Sequence, residues 1–353
     1  MTNRRTFFKT AASAAAGVCL TGQDFTLSAL QAPARRQAMI GGRRARVIDV
    51  HCHWDMPVPA SLVKGTPFEE RVKGPGIEER VAIMDKLGVD VNVISVNDFW
   101  WWDTNDRGLA RAICDHHNQA LAKATRDYPG RIFGMASVPM HFPDLAVEML
   151  QAAVKNGARG VTVGGHVGGE SLSSARFDPF WTKAAEMGEL VFMHPNGSAN
   201  IIKDGGLAGR GGLGNIVGNP LETTVFLSRL IFDGTFDKFP TLKVCGAHGG
   251  GFLPSYLGRT EVACQRAGQN CIIKKKPSDY LRTNILADTM VFSEEGLRHL
   301  VAEMGVGQVV FGTDVPFNWP VTIDLVVNSP SLSNADKEAI LGGTLTKLLR
   351  IPA

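Results

Sequence analysis

What the chain lacks narrows it first. Its 353 residues contain no run of eighteen or more apolar residues, so nothing in it reads as a membrane span of the mature protein. A strong charge of one sign is also missing. Lys and Arg number 37 against 34 Asp and Glu, and with the first 32 residues set aside the balance is 34 against 33. A nucleic-acid or anionic-membrane partner is therefore not indicated. The six cysteines include no Cys-x-x-Cys pair, which removes a zinc knuckle. Without Cys19 they leave the odd set Cys52, Cys114, Cys245, Cys264 and Cys271, which argues against a full disulfide framework. Cys264 and Cys271 could bridge, but buried free thiols are the expectation. What is present is ordinary for a globular chain: 44% apolar residues, 20% charged, 39 Gly and 18 Pro.

The N-terminus reads as an address. Arg4-Arg5-Thr6-Phe7-Phe8-Lys9 leads into a short, Ala-rich run from Thr10 to Leu20. This looks like a twin-arginine export signal, cleaved near Ala32 to Ala38, with Cys19 in the discarded segment and a periplasmic or exported destination. Residues 1–38 are thus set apart as signal and short linker, and 39–353 as a single domain.

Within that domain, β-branched runs alternate with amphipathic helical patterns. The expected strands are Val47 to Val50, Val91 to Val96, Ile132 to Val138, Gly160 to Gly164, Leu190 to His194, Leu242 to His248, Ile285 to Val291 and Val309 to Asp314. Helical patterns lie between them at Ile77 to Leu87, Arg107 to Arg126, Asp144 to Asn156, Pro179 to Met187, Leu221 to Asp233, Phe252 to Arg266 and Glu294 to Met304, with another after Asn334. Eight such units predict an α/β fold of the (β/α)8 TIM-barrel kind. An open doubly wound sheet would want a Gly-rich phosphate turn after its first strand, and Val47 to His53 offers none.

In a barrel of this kind the chemistry sits at the carboxyl ends of the strands. The first strand ends in Asp49-Val50-His51-Cys52-His53, where residues two apart share a face, so His51 and His53 can meet one ion. The fifth ends in His194, the sixth in His248 and the eighth in Asp314. Three imidazoles and a carboxylate suit one divalent ion of intermediate hardness such as Zn2+, with room for a water of lowered pKa. A second ion would want a bridging Lys or acid at the end of the fourth strand, where Gly164, Gly165 and His166 stand. One metal is therefore expected, with His166 a loop residue. Phe99-Trp100-Trp101-Trp102 follows the second strand, above the barrel mouth. Trp100 and Trp101 read as a wall for a flat substrate, or as packing under the loop or at an interface.

At these residues the chain resembles the amidohydrolase superfamily, and within it the aminocarboxymuconate-semialdehyde decarboxylase branch. The resemblance runs from about Val47 to Ile351. It is most specific in Leu221-Glu222-Thr223-Thr224, in Phe236-Asp237-Lys238-Phe239-Pro240, and from Leu242 through Ala247-His248-Gly249-Gly250-Gly251 to Pro254, Gly258 and Arg259. Gly312-Thr313-Asp314-Val315-Pro316-Phe317 adds a second match. It implies that His51, His53, His194 and Asp314 hold the metal. His248 would be the acid/base acting beside Asp314, and Arg259 would grip a substrate carboxylate in the neighbouring subunit of a homodimer. The implied reaction is loss of CO2 from a small unsaturated or aromatic acid. Departures in the loop between His53 and Ile77, where Arg71 is only a candidate second carboxylate ligand, and at Asn196-Gly197 and Gly205 to Gly218, point to a different compact carboxylic acid. A mononuclear hydrolase of a lactone, ester or amide is the alternative reaction, and a non-catalytic binding protein the third reading.

Overall fold

The computed structural model describes residues 35–72, 76–96, 98–203, 205–266, 268 and 271–352. The twin-arginine segment and Cys19 lie outside them. The chain enters through a hairpin, β1 (Ala38–Ile40) and β2 (Arg43–Ala45), which the sequence reading did not anticipate. Barrel strands follow: β3 (Ile48–His53), β4 (Val91–Ser95), β5 (Ile132–Gly134) and β6 (Val161–Val163). A second small hairpin, β7 (His166–Val167) and β8 (Glu170–Ser171), precedes β9 (Leu190–Met193), β10 (Lys243–Gly246), β11 (Ile285–Asp288) and β12 (Val309–Val310).

All neighbouring barrel strands pair in parallel, in the orders β3-β4-β5 and β6-β9-β10-β11-β12. Two bridges close the ring, Ala136 to Val161 and Cys52 to Val315. The second seam is reinforced where Val50 N donates to the Phe311 carbonyl (3.1 Å) and Asp314 N to the His51 carbonyl (2.7 Å). All eight expected strands are present and the fold is a (β/α)8 barrel. Parallel strands covered on both faces need apolar residues throughout, and every residue of β3, β4 and β9 is buried. Ile48, Val50, Val91, Val93, Phe192 and Val310 belong to the inner cluster, which Leu345, Leu349 and Ile351 join. A larger apolar layer packs the surrounding helices onto the strands.

Two further differences from the expected elements follow the sixth barrel strand. The sixth stops at Gly246 because His248, Gly249 and Gly250 turn left-handed, with φ of 57°, 66° and 74°. The helix expected over Phe252 to Arg266 is broken into a 3-10 turn at Pro254–Tyr256 and a short helix at Leu257–Ala263. Cys264 and Cys271, expected as buried free thiols, form a disulfide, which corrects that reading. Both are only half-buried and their Cα atoms stand 5.5 Å apart, within the reach of a bridge. Cys52, Cys114 and Cys245 are buried free thiols. Among the described residues, no helix is long and apolar enough to cross a membrane.

Candidate active site

The site begins with an irregularity in β3. Strict alternation would place Val50 and His51 on opposite faces, but the pairing of β3 with β4 shifts register between Asp49 and Cys52. Val50 therefore stays in the inner cluster while His51 and His53 both turn toward the centre of the mouth. Cys52, between them, faces away toward the carbonyls of Asp49 and Val93.

Each of these imidazoles is fixed through Nδ1. His51 Nδ1 donates to Asp288 Oδ2 at 2.7 Å, and His53 Nδ1 pairs with Ser95 Oγ at 2.8 Å. That leaves both Nε2 atoms aimed at Asp314 Oδ1, each 3.1 Å from it. His194 Nε2 lies 3.9 Å from the same oxygen, and His248 Nε2 lies 3.5 Å from Asp314 Oδ2. Ligating atoms of His51, His53, His194 and Asp314 all fall within 4.8 Å of one another, and all four residues are buried. Asp314 reaches this point through a left-handed backbone, φ 58°, held by its N–H on the His51 carbonyl. Thr313 supports it from below, donating Oγ1–H to Asp49 Oδ2 at 2.6 Å.

Three of these central atoms, Nε2 of His51, Nε2 of His53 and Oδ1 of Asp314, are buried without a hydrogen-bond partner. Buried polar atoms are otherwise nearly always satisfied, so a converging set of orphans is the expected state of ligands that answer to a cation. The electrostatics agree. Burial pushes Asp314 up, but the charge of His51 and the close approach of His248, His51 and His53 outweigh it and hold the carboxyl well below the usual range. Burial lowers His53 to about 4 and drives His194 well below its ordinary value. His51 is also pressed down by burial, yet Asp314 and Asp288 together raise it to about 10. An ionised carboxylate facing the neutral imidazoles of His53 and His194, with His51 drawn to the two carboxylates beside it, offers nitrogen and oxygen donors in the proportion that suits a divalent ion.

Four residues that the sequence reading did not single out hold this arrangement. Asp288, at the end of β11, is fully buried and receives His51. Arg80, also buried, donates Nη2 to the His53 carbonyl. Asp49 receives the N–H groups of His51 and Thr313, and burial lifts it to about 7 against the Thr313 hydrogen bond. Glu222, noted only inside the resemblance, accepts from Gly165 N at 3.1 Å and from Asn196 N at 3.0 Å. It thereby ties the loop after β6 to the loop that follows His194. A Cβ at Gly165 would come 2.4 Å from Glu222 Oε1, so the glycine admits this carboxylate.

The remaining candidates take different places. His166 lies outside the cluster, its Nδ1 accepting from Gly169 N and its Nε2 3.9 Å from Glu222 Oε1. Trp100 and Trp101 are buried; the Trp100 ring lies tilted 4.9 Å from that of Phe68, and Trp101 donates Nε1–H to the Val138 carbonyl. Phe99 and Trp102 are the members of that run lying against Gly164 at the end of β6. The aromatic rings found beside the histidines are Phe192, 5.1 Å from His51, and Phe317, 6.0 Å from His53 and 52% exposed. Arg71 pairs loosely with Asp98 at 3.5 Å. Arg259 is exposed on its short helix, in a surface groove of about 310 Å³ shared with Thr224, Phe252 and Tyr256.

Comparison with known proteins places this geometry. A family model described as "Amidohydrolase" matches residues 48–351. A 2-amino-3-carboxymuconate-6-semialdehyde decarboxylase of Dictyostelium discoideum is 28% identical, over 89% of this chain and 82% of its own. A gamma-resorcylate decarboxylase of a Polaromonas species is 29% identical, over 78% and 87%. Among solved structures, a dihydroxybenzoic acid decarboxylase from Polaromonas, with bound manganese and the inhibitor 2-nitroresorcinol, superposes with a TM-score of 0.74 at 26% identity, covering 87% of this chain and 97% of that one. The match spans every strand of the barrel and all five converging side chains, and the chain belongs to the amidohydrolase family.

Proposed function

We propose that the protein is a metal-dependent carboxy-lyase that releases CO2 from a small aromatic or unsaturated carboxylic acid. The observation that carries this reading is His248 standing 3.5 Å from Asp314, beside a cluster whose ligating atoms lie within 4.8 Å of each other. His51, His53, His194 and Asp314 would hold one ion. Zn2+ is the choice that three imidazoles and a carboxylate favour, although the Polaromonas relative carries manganese. When bound, the ion supplies a Lewis acid for the oxygen atoms of the acid.

The proton traffic belongs to the chain. His248 Nε2, 3.5 Å from Asp314 Oδ2, is the atom placed to hand a proton to the substrate. Delivered to the carbon that bears the carboxylate, that proton occupies the position CO2 must vacate. The carbon–carbon bond then breaks, its electron pair refills the π system, CO2 leaves neutral, and solvent reprotonates His248. Phe317 offers a flat face beside His53, whereas Trp100 and Trp101 are buried, with the Phe99 ring 5.6 Å from that of Trp101, and would shape the pocket only from behind.

Arg259 completes the reading if two chains share their sites. It cannot be spent at its own centre while exposed in a groove with Tyr256, itself 62% exposed, and a second copy of the chain is the occupant we propose for that groove. A guanidinium there would hold the partner's substrate by two parallel hydrogen bonds to the carboxylate. Mixing an inactive Arg259→Ala chain with an inactive His248→Ala chain should then regenerate activity, because one of the two mixed pockets contains both native residues. Absence of recovery in verified mixed dimers, or an active monomer, rejects the shared site.

Export of the folded protein through the twin-arginine route is part of the same proposal. The Cys264–Cys271 disulfide supports it, since such bonds persist in oxidising compartments and are rare in the cytosol.

A further inference from the structure

Asp288 does more than close the barrel. Its carboxylate is fully buried and accepts four hydrogen bonds, two on each oxygen. Oδ2 receives His51 Nδ1–H at 2.7 Å and the backbone N–H of His248 at 2.9 Å. Oδ1 receives the N–H groups of Gly249 at 2.9 Å and Met290 at 3.0 Å. One oxygen atom thus touches a metal ligand on the first barrel strand and the acid/base residue after the sixth.

Both contacts fix something that would otherwise be free. A neutral imidazole, the form that binds a metal, must present its lone pair at Nε2 when it donates from Nδ1, and Nε2 is the nitrogen of His51 that faces Asp314. His248 sits in the left-handed region, φ 57° and ψ 51°, an uncommon conformation for any residue but glycine. The carboxylate receives the N–H groups of His248 and Gly249 side by side, gripping the turn where the left-handed backbone begins. Close approach of the strands makes this possible: a Cβ at Gly312 would come 2.7 Å from His51 Cβ and 3.0 Å from Asp288 Cβ. From these contacts we infer that Asp288 is a positioning residue, setting the tautomer of His51 for the metal and the backbone of His248 for proton transfer with one carboxylate.

The inference rests on the metal-centre reading above. Asp288→Asn is the sharpest test because it keeps size and shape. Whichever way the amide turns, its NH2 group faces two of the four donors and leaves them without an acceptor. Competition against a chromogenic chelator should show Zn2+ affinity reduced roughly ten- to a hundredfold, with the far-ultraviolet circular dichroism of the folded protein unchanged. At saturating Zn2+ the turnover of the variant should stay at least about tenfold below the native value, because in either orientation the turn at His248 and Gly249 has lost one of its two N–H acceptors. A variant that is less heat-stable but binds Zn2+ with native affinity would reduce Asp288 to a structural role. Full recovery of turnover on Zn2+ saturation would remove His248 from the proposal.

If the variant does not fold, nitrogen-15 histidine spectra of the native Zn2+-loaded protein decide the point. They should show a protonated Nδ1 and a metal-bound Nε2 on His51, and the opposite assignment would overturn the inference. Failure of the native protein to bind Zn2+ at all would instead sink the metal-centre reading.

Discussion

His51→Ala and Asp314→Ala should each abolish stoichiometric metal binding, and turnover should go with it. Asp314 is the hub of the centre, since its Oδ1 lies 3.1 Å from Nε2 of both His51 and His53 and 3.9 Å from that of His194. Removing it leaves three buried nitrogens without the carboxylate that faces all of them. Removing His51 withdraws a ligand and also strands Asp288, whose buried carboxylate loses a hydrogen-bond donor. Elemental analysis of the purified protein should find about one metal per native chain and a small fraction of that in either variant. Full metal content in both variants would show that the ion binds elsewhere. Two equivalents in the native protein would contradict the mononuclear reading.

His248→Ala separates chemistry from metal binding. Its Nε2 is closest to the outer oxygen of Asp314, 3.5 Å away, whereas the orphaned inner oxygen faces the ligand histidines. The variant should therefore retain its metal and its fold. Turnover should fall by roughly two to four orders of magnitude, the range expected when a general acid/base is lost. The substrate concentration at half saturation should change far less, because the lost group acts on the proton and not on the carboxylate. Equal loss of metal would make His248 a ligand, and unchanged turnover would remove it from the proton path.

The ligands were legible in the sequence because their chemistry coincides with a local pattern. His51 and His53 are two apart on a strand, and His194, His248 and Asp314 each close an apolar run, so barrel periodicity alone brings them to one rim. Even there the geometry depends on something the pattern does not show. The register shift in β3 is what allows Val50 to join the inner cluster while His51 faces the mouth.

Residues that act through distant partners left no such trace. Asp288 ends a short apolar run, Ile285-Leu286-Ala287, but its partner His51 lies 237 positions away, and nothing near Asp288 announces the contact. Arg80 looks like an ordinary charge at the start of a helix, yet its target is the carbonyl of His53. The left-handed turn at His248 is compatible with the glycines that follow it, although glycines alone do not say which non-glycine residue will adopt the unfavourable conformation. Trp100 to Trp102 show the reverse problem. A run of large rings beside a mouth reads equally as wall or as packing until the indole N–H groups are located, and those of Trp101 and Trp102 go to the Val138 carbonyl.

The central claim is that this centre replaces a carboxylate with a proton. Metal-loaded protein should be incubated in D2O with carboxyl-labelled hydroxybenzoic and muconic acids, and both gas and residual product followed. The account predicts labelled CO2 in equal amount to product, with one deuterium on the carbon that carried the carboxylate. Consumption of lactones, esters or amides by the same preparation, with no labelled CO2 from any of the acids, would contradict it and identify the protein as a hydrolase.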